Sequence, residues 1–203
     1  MNEYEAKNLL KEYGISVPNG VLLETVEDVE SVHLNYPLVA KVSSEKILHK
    51  TDVGGVVLGI KDEKELKNAV RELMEKFHAS VLVEEMLKGG LEVIVGVTKD
   101  STFGHAIMFG LGGIFTEVFR DVTFRVIPIS IKDAELMLSE IKGRKLLEGY
   151  RGIKVDREAL IDLLLKVSNM VQENPEIEGI DLNPVLLMEK GLSVLDAKII
   201  MGR

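Results

Sequence analysis

Short apolar runs and amphipathic helical stretches follow one another along this chain without the strict alternation that a doubly wound parallel sheet requires. Helical spacing marks residues 2–13, where Ala6, Leu9, Leu10 and Tyr13 share a stripe, Asn2 and Glu5 stand at capping-box spacing, and Gly14 ends the run. A short strand at 21–23, a helix at 25–33 capped by Thr25 with Asp28, and strands at 37–42 and 56–60 follow. Asp62 with Glu65 opens another helix, with Leu66, Ala69, Val70, Leu73 and Phe77 on one face. Strands at 80–86 and 91–97 around Lys88-Gly89-Gly90 read as a hairpin. Two more strands, at 103–109 and 122–129, flank Gly110-Leu111-Gly112-Gly113. Because a strand is expected after it, that glycine run is no dinucleotide fingerprint. Helices are expected at 132–141, 144–148 and 156–173, the last with Leu160, Leu163, Leu164, Val167 and Val171 inward. A closing hairpin, 177–188 with 192–201, turns at Lys190-Gly191. The pattern predicts an α+β protein with largely antiparallel sheets in two lobes.

The bulk properties narrow the function. A chain of 203 residues, 46% hydrophobic and 29% charged, can bury a real core as one large domain or two small lobes. A net charge of −8 argues against a general nucleic-acid surface while allowing local positive sites for a phosphate ligand. With no cysteine, disulfides, thiolate zinc sites and cysteine nucleophiles are excluded. The N-terminus lacks the basic-then-apolar layout of a signal peptide and no apolar run is long enough to span a bilayer, so a cytoplasmic protein without a membrane partner is expected. Absent Cys and Trp beside abundant Lys, Glu and Ile suit a thermophile.

The chemistry concentrates in residues 39–57, VAKVSSEKILHKTDVGGVV. Lys41 stands in the middle of an apolar strand; a polar segment carrying His49 and Lys50 follows and ends at Gly54-Gly55. Lysine brings a compact positive charge, glycines let backbone N–H groups approach anionic oxygens, and neutral imidazole is a nucleophile near neutral pH. The bland alternatives are a lysine reaching solvent from an edge strand, a surface histidine, and a glycine pair that only turns the chain.

A second constellation lies in the closing hairpin. Asp181 and Asn183 are two apart, so on a strand they project from one face. If Lys190-Gly191 is a two-residue turn, Asn183 pairs with Lys198, and Asp196 sits diagonally across, able to converge with Asn183 on one ion; a three-residue turn would flip the parity. One Asp and one Asn oxygen, completed by phosphates and water, suit Mg²⁺. Otherwise Asp and Asn are turn formers before a proline.

Taken in order, AKVSSEKILHKTDVGGV, LVEEM, LEVIVGV, FGLGGIFTEVFRDVTFRV, GIDLNPV and VLDAKI resemble the ATP-grasp β subunit of ADP-forming acyl-CoA synthetases, the archaeal acetyl-CoA synthetase (ADP-forming) group, which is similar to succinyl-CoA synthetase. The resemblance covers nearly the whole chain. It implies an ATP-grasp fold, two α+β lobes with largely antiparallel sheets gripping a nucleotide: a smaller lobe over about 15–86, and a larger one over about 87–203 with the N-terminal helix. It implies an enzyme interconverting acyl-CoA, ADP and phosphate with free acid, CoA and ATP, alongside a CoA-binding α subunit, as α₂β₂, that carries a first phosphohistidine. His49 then falls on the histidine that relays the phosphoryl group, and Lys41 on the lysine that contacts nucleotide phosphates. Gly54 and Gly55 close the phosphate-handling loop. Glu84, Glu85 and Met86 match the connector that holds adenine, and Glu92 is a candidate for a ribose or structural contact. Asn183 and Asp196 match the magnesium ligands, and Asp181 the carboxylate that steadies a phosphohistidine ring.

Ser44-Glu45 departs from the Ser-Pro often found ahead of that histidine. Arg120 and Arg125 stand equally for phosphate contacts or salt bridges, and His33, His78 and His105 for structural or exposed groups. Two other readings compete: an ATP-grasp ligase activating a different carboxylate, and a regulatory module such as those fused to protein acetyltransferases. The HKTD segment argues against the first, and the joint presence of Lys41, His49, Asp181, Asn183 and Asp196 against the second.

Overall fold

The computed structural model describes residues 1–44, 47, 50–113, 116, 118 and 120–202. Among them, branched and aromatic runs form β1 (Gly20–Leu23), β2 (Leu38–Ser43), β3 (Val56–Ile60), β4 (Ser80–Glu85), β5 (Leu91–Asp100), β6 (Gly104–Leu111), β7 (Val122–Val126), β8 (Ile177–Leu187), β9 (Leu192–Val194) and β10 (Ala197–Met201). The helices are α1 (Glu3–Glu12), α2 (Glu63–Phe77), α3 (Ile131–Glu140) and α4 (Arg157–Glu173). The strands make a four-stranded sheet, β1-β4-β2-β3, and a six-stranded sheet, β10-β8-β5-β6-β7, in which β9 also pairs with β8. Every pairing described is antiparallel, as the pattern of the sequence predicts.

The chain divides into two compact units. One holds residues 2–5 and 18–88, the other Met1, residues 6–17 and 89–203. In the smaller unit, α2 lays Leu66, Ala69, Val70 and Leu73 on Leu38, Ala40, Val81 and Val83 of the four-stranded sheet. Asp62 starts that helix by accepting the Glu65 N–H, while the Glu65 carboxylate accepts from the Lys61 N–H. In the larger unit Ala6 and Leu10 of α1, Met137 and Leu138 of α3, and Leu160, Leu164 and Val167 of α4 share a core with alternate residues of the six-stranded sheet. The Asn2–Glu5 capping box is present, each side chain accepting the other residue's N–H at 2.9 Å.

Several local expectations are overridden. Residues 25–33 form only a 3₁₀ turn, Glu27–Ser31. Asp28 accepts both the Glu24 and Thr25 N–H groups, which closes a tight turn, and Val29 alone of the turn is buried, so no apolar stripe supports an α-helix. The helix expected at 144–148 is likewise a 3₁₀ turn, Lys142–Leu146, with its Lys142 and Gly143 N–H groups held by buried Asp121. The strand expected to reach residue 129 ends at Val126, two residues before Pro128, which has no N–H to give a sheet.

The hairpin expected at 80–97 does not form. β4 pairs with β1 and β2, and β5 pairs with β6 and β8, so the two strands belong to different sheets. A glycine turn between two strands signals a change of direction, and which edge is free decides the pairing.

Core packing sets the stability of the larger unit. Phe109 is completely buried there, so Phe109→Ala is expected to cost roughly 3–5 kcal/mol, read as a lowered denaturant midpoint.

Candidate active site

Lys41 lies on β2, an inner strand with β4 on one side and β3 on the other, which rules out the edge-strand reading. Leu38 and Ala40 face α2, so Lys41 projects from the opposite face, and the residue is only 8% exposed. A desolvated ammonium needs partners. Lys41 Nζ donates to Glu3 Oε1 at 2.8 Å and lies 3.0 Å from Glu84 Oε2. The second Glu3 oxygen takes Lys50 Nζ, so one buried carboxylate bridges the lysine ahead of the polar segment and the lysine behind it. His49 itself lies outside the described residues.

Glu3 and Lys50 are the members of this cluster that sequence reasoning missed. A glutamate in the first turn of a helix reads as an ordinary complement to the helix dipole, and nothing local indicates that it is buried against a strand lysine.

The rest of the smaller unit's candidates are spoken for in specific ways. The Gly54 and Gly55 N–H groups donate to the Thr51 and Lys50 carbonyls, and the Gly55 carbonyl accepts from Val42 N–H. A β-carbon on Gly55 would sit 2.7 Å from a Val42 methyl, so glycine is required by close packing of the loop on β2. The Glu85 carboxylate accepts from the Asn35 backbone and side chain and from the Asn19 amide, contacts that lower its pKa, the Asn35 backbone bond most. The N–H groups of Glu85 and Met86 go to the Asn19 and Pro37 carbonyls. Glu85 therefore ties loops to the end of β4, while Glu84, one residue earlier, turns to Lys41.

In the larger unit the closing strands meet two residues out of the expected register. Lys198 pairs with Asp181, where a two-residue turn would have paired it with Asn183. The reason is the turn, which spans residues 188–191 and is closed by Met188 N–H on the Gly191 carbonyl and by Gly191 N–H on Asp156. A shift of two keeps the parity. It places Asn183 directly opposite Asp196, with Asn183 N–H donating to the Asp196 carbonyl at 3.2 Å.

Leu182 and Ala197 are core residues, so Asp181, Asn183, Asp196 and Lys198, which flank them, share the opposite face. Between Val93 and Val95 the pairing of β5 with β8 shifts, and Asn183-Pro184 occupies the resulting bulge. Buried Gly96 pairs with Asp181 and adds no side chain over it. Glu92 is exposed on the same face of β5, paired with Leu186.

The electrostatics of that face are uneven. Packing around the Asp181 carboxyl raises its pKa, chiefly by desolvation and then by the nearby Asp196 charge, against a smaller lowering by Lys198. Buried Lys7 donates to the Leu195 carbonyl at 2.8 Å, putting another ammonium beside the chain next to Asp196. Among the described residues no three His, Asp or Glu groups converge as a metal cage. A cation at Asn183 and Asp196 would take two protein oxygens and draw the rest from its ligand and water, a donor set that fits Mg²⁺.

The two arginines separate. Arg125 pairs with Glu140 at 2.6 Å, which raises its pKa, and so takes the salt-bridge role. Arg120 is exposed, with a left-handed φ of 49°. His105 contacts the Ile177 carbonyl at 2.6 Å, a structural role, and His78 closes α2 in the left-handed region.

The ATP-grasp domain family model matches residues 1–201. The acetate–CoA ligase [ADP-forming] II subunit beta of Pyrococcus furiosus is 47% identical, over 99% of this chain and 91% of that subunit. Acetate–CoA ligase [ADP-forming] II of Archaeoglobus fulgidus is 45% identical over 98% of this chain, which spans only 30% of that longer polypeptide. Among solved structures, a dinucleotide forming acetyl-coenzyme A synthetase 1 of Ca. Korarchaeum cryptofilum, in complex with coenzyme A and Mg-AMPPCP, superimposes with a TM-score of 0.86 at 45% identity, covering 98% of this chain and 91% of that one. In that structure a phosphohistidine segment points towards the nucleotide binding site.

The raised Asp181 pKa predicts a pH dependence for the metal-free protein. Native Asp181 holds its proton above the ordinary value of 3.8, so the folded state binds more protons than the unfolded state as pH rises past that value, and stability falls until the native carboxyl has ionised. Asp181→Asn is expected to remove that fall. Asp196→Asn is expected to move the Asp181 midpoint down, as followed by carboxyl carbon-13 NMR titration.

Proposed function

Since the chain belongs to the ATP-grasp domain family, we propose that it is the nucleotide-binding β subunit of an ADP-forming acetate/acyl-CoA ligase, catalysing acyl-CoA + ADP + phosphate to acid + CoA + ATP reversibly with a CoA-binding α subunit. The observation that carries this reading is one of extent: the chain and the Pyrococcus furiosus β subunit correspond over almost their whole lengths at 47% identity. The remaining 70% of the Archaeoglobus fulgidus polypeptide leaves room for the CoA-binding part in a second chain, and α₂β₂ is the assembly we propose.

In this reading His49 accepts the phosphoryl group on an imidazole nitrogen and passes it to the terminal phosphate oxygen of ADP. Phosphoryl transfer of this kind is chiefly positioning and charge neutralisation. Lys41 contacts the nucleotide phosphates, and its fixed place on an inner strand supports that role. Glu84, Glu85 and Met86, at the end of β4, border the adenine. The Glu85 and Met86 N–H groups are bonded to the Asn19 and Pro37 carbonyls, so other groups of this segment meet the adenine. Gly54 and Gly55 shape the end of the His49 segment, and Glu92 reaches the ribose.

Asp181 accepts the N–H of the second imidazole nitrogen and fixes the tautomer, and its place on the polar face of β8 supports that role. Asn183 and Asp196 would hold Mg²⁺, which when bound would offset the charge on the phosphate oxygens. No helix among the described residues is long and apolar enough to cross a membrane, and a cytoplasmic location is proposed with the rest.

The test is a labelling experiment with Mg²⁺ and γ-labelled ATP, with and without the α subunit. An acid-labile label on His49, absent from His49→Asn, is the expected result, and Lys41→Met is expected to slow its appearance at least about 100-fold. Nucleotide binding without label, even with the partner present, would replace this reading by that of a ligand-sensing module.

A further inference from the structure

Lys41 is not presented to a ligand as a bare charge. Its ammonium touches two carboxylates, Glu3 at 2.8 Å and Glu84 at 3.0 Å, and all three residues are at least nine-tenths buried. Glu3 also binds Lys50, whose side chain is 11% exposed. Among the described residues the cluster therefore sets two carboxylates against two ammonium groups. Low solvent access makes each of these charges felt strongly at short range.

We propose that Glu3 is a positioning residue that sets the affinity for the nucleotide's polyphosphate, by holding a negative charge against Lys41 where the phosphates bind. The proposal rests on the assignment of Lys41 to phosphate. An ammonium has three N–H donors, and Glu3 and Glu84 engage Lys41 from two directions. The carboxylates fix the ammonium in place and at the same time compete with phosphate for it. In a reversible transfer the nucleotide has to leave in either direction, so a strand lysine with its full charge exposed would bind ATP too well to turn over.

Glu3 lies in the first turn of α1, outside the strands and loops that supply the other candidates. The sign of the effect does not depend on the total charge of the cluster. Replacing a carboxylate next to Lys41 by a neutral group raises the positive potential there whatever else contacts it. A residue with only a structural role would act in the opposite sense, since its loss would free Lys41 to move and weaken binding.

The experiment is calorimetric titration of the full chain with ATP and with AMP in the presence of Mg²⁺, comparing wild type, Lys41→Met and Glu3→Gln. Glu3→Gln is expected to bind ATP roughly tenfold more tightly, with AMP affinity changed much less, because a Coulomb effect scales with the charge of the phosphate chain. In the reconstituted enzyme it is expected to lower KM for the nucleotide and kcat together, the mark of slowed release.

Unchanged or weaker ATP binding by Glu3→Gln, with Lys41→Met weakening it, would overturn the proposal while leaving Lys41 as the phosphate lysine. If Lys41→Met left ATP binding intact, the assignment of Lys41 itself would fall, and the proposal with it. Should Glu3→Gln alone not fold, the same step taken in a Lys50→Gln background removes the buried pair together. Glu3→Gln/Lys50→Gln is then expected to bind ATP roughly tenfold more tightly than Lys50→Gln, and equal affinity would overturn the proposal.

Discussion

A lysine on an inner strand, away from water, has to be met by negative charge, and Lys41 shows how much of the smaller unit follows from that need. The penalty for burying its ammonium is several kcal/mol, about what a buried pair returns only when geometry and additional hydrogen bonds are good. Glu3 and Glu84 supply that geometry, at 2.8 and 3.0 Å, and Glu3 extends it to Lys50. The start of α1, the middle of β2, the end of β4 and the exit from the His49 segment are thereby tied to one another. On the proposed assignment of Lys41 to phosphate, a lysine held this firmly would lose little entropy when a ligand arrives, and its counter-charges would temper how tightly the ligand is held.

In the larger unit the corresponding device is a bulge. β8 is an inner strand of the six-stranded sheet with Leu182 on the core side, and the irregularity at Asn183-Pro184 interrupts its pairing with β5. Asp181 and Asn183 face away from the helices, and the β10 side brings Asp196 and Lys198 to the same face. On that face desolvation first, and then the Asp196 charge, raises the pKa of Asp181 against a smaller lowering by Lys198. A polar cluster of this kind on a sheet face marks a candidate functional site.

Much of this was legible in the sequence. The helical stripes of α1, α2 and α4, with Leu10, Leu66 and Leu164 inward, follow from periodicity that local and tertiary forces both favour. Asp181 and Asn183 share a face because strand side chains alternate, and an error of two in the register left that parity intact. At 25–33 a capping pattern stands without an apolar stripe, so the helix it signals has no buried face to hold it. Arg125 was ambiguous because its partner, Glu140, lies on α3 and no local pattern links the two.

The linear pattern by itself determined most of the strands and the three long amphipathic helices α1, α2 and α4, which of their faces are apolar, and which polar residues stand in places where a core would exclude them. Those properties depend on neighbours one to four residues away, where spacing along the chain fixes spacing in space. Tertiary structure alone decided that β4 and β5 enter different sheets, that Asn183 meets Asp196 across a longer turn, and that Glu3 is buried against Lys41. Each of those depends on which strand edge or counter-charge remains available after the rest of the chain has packed, and that competition among distant segments leaves no periodic trace in the sequence.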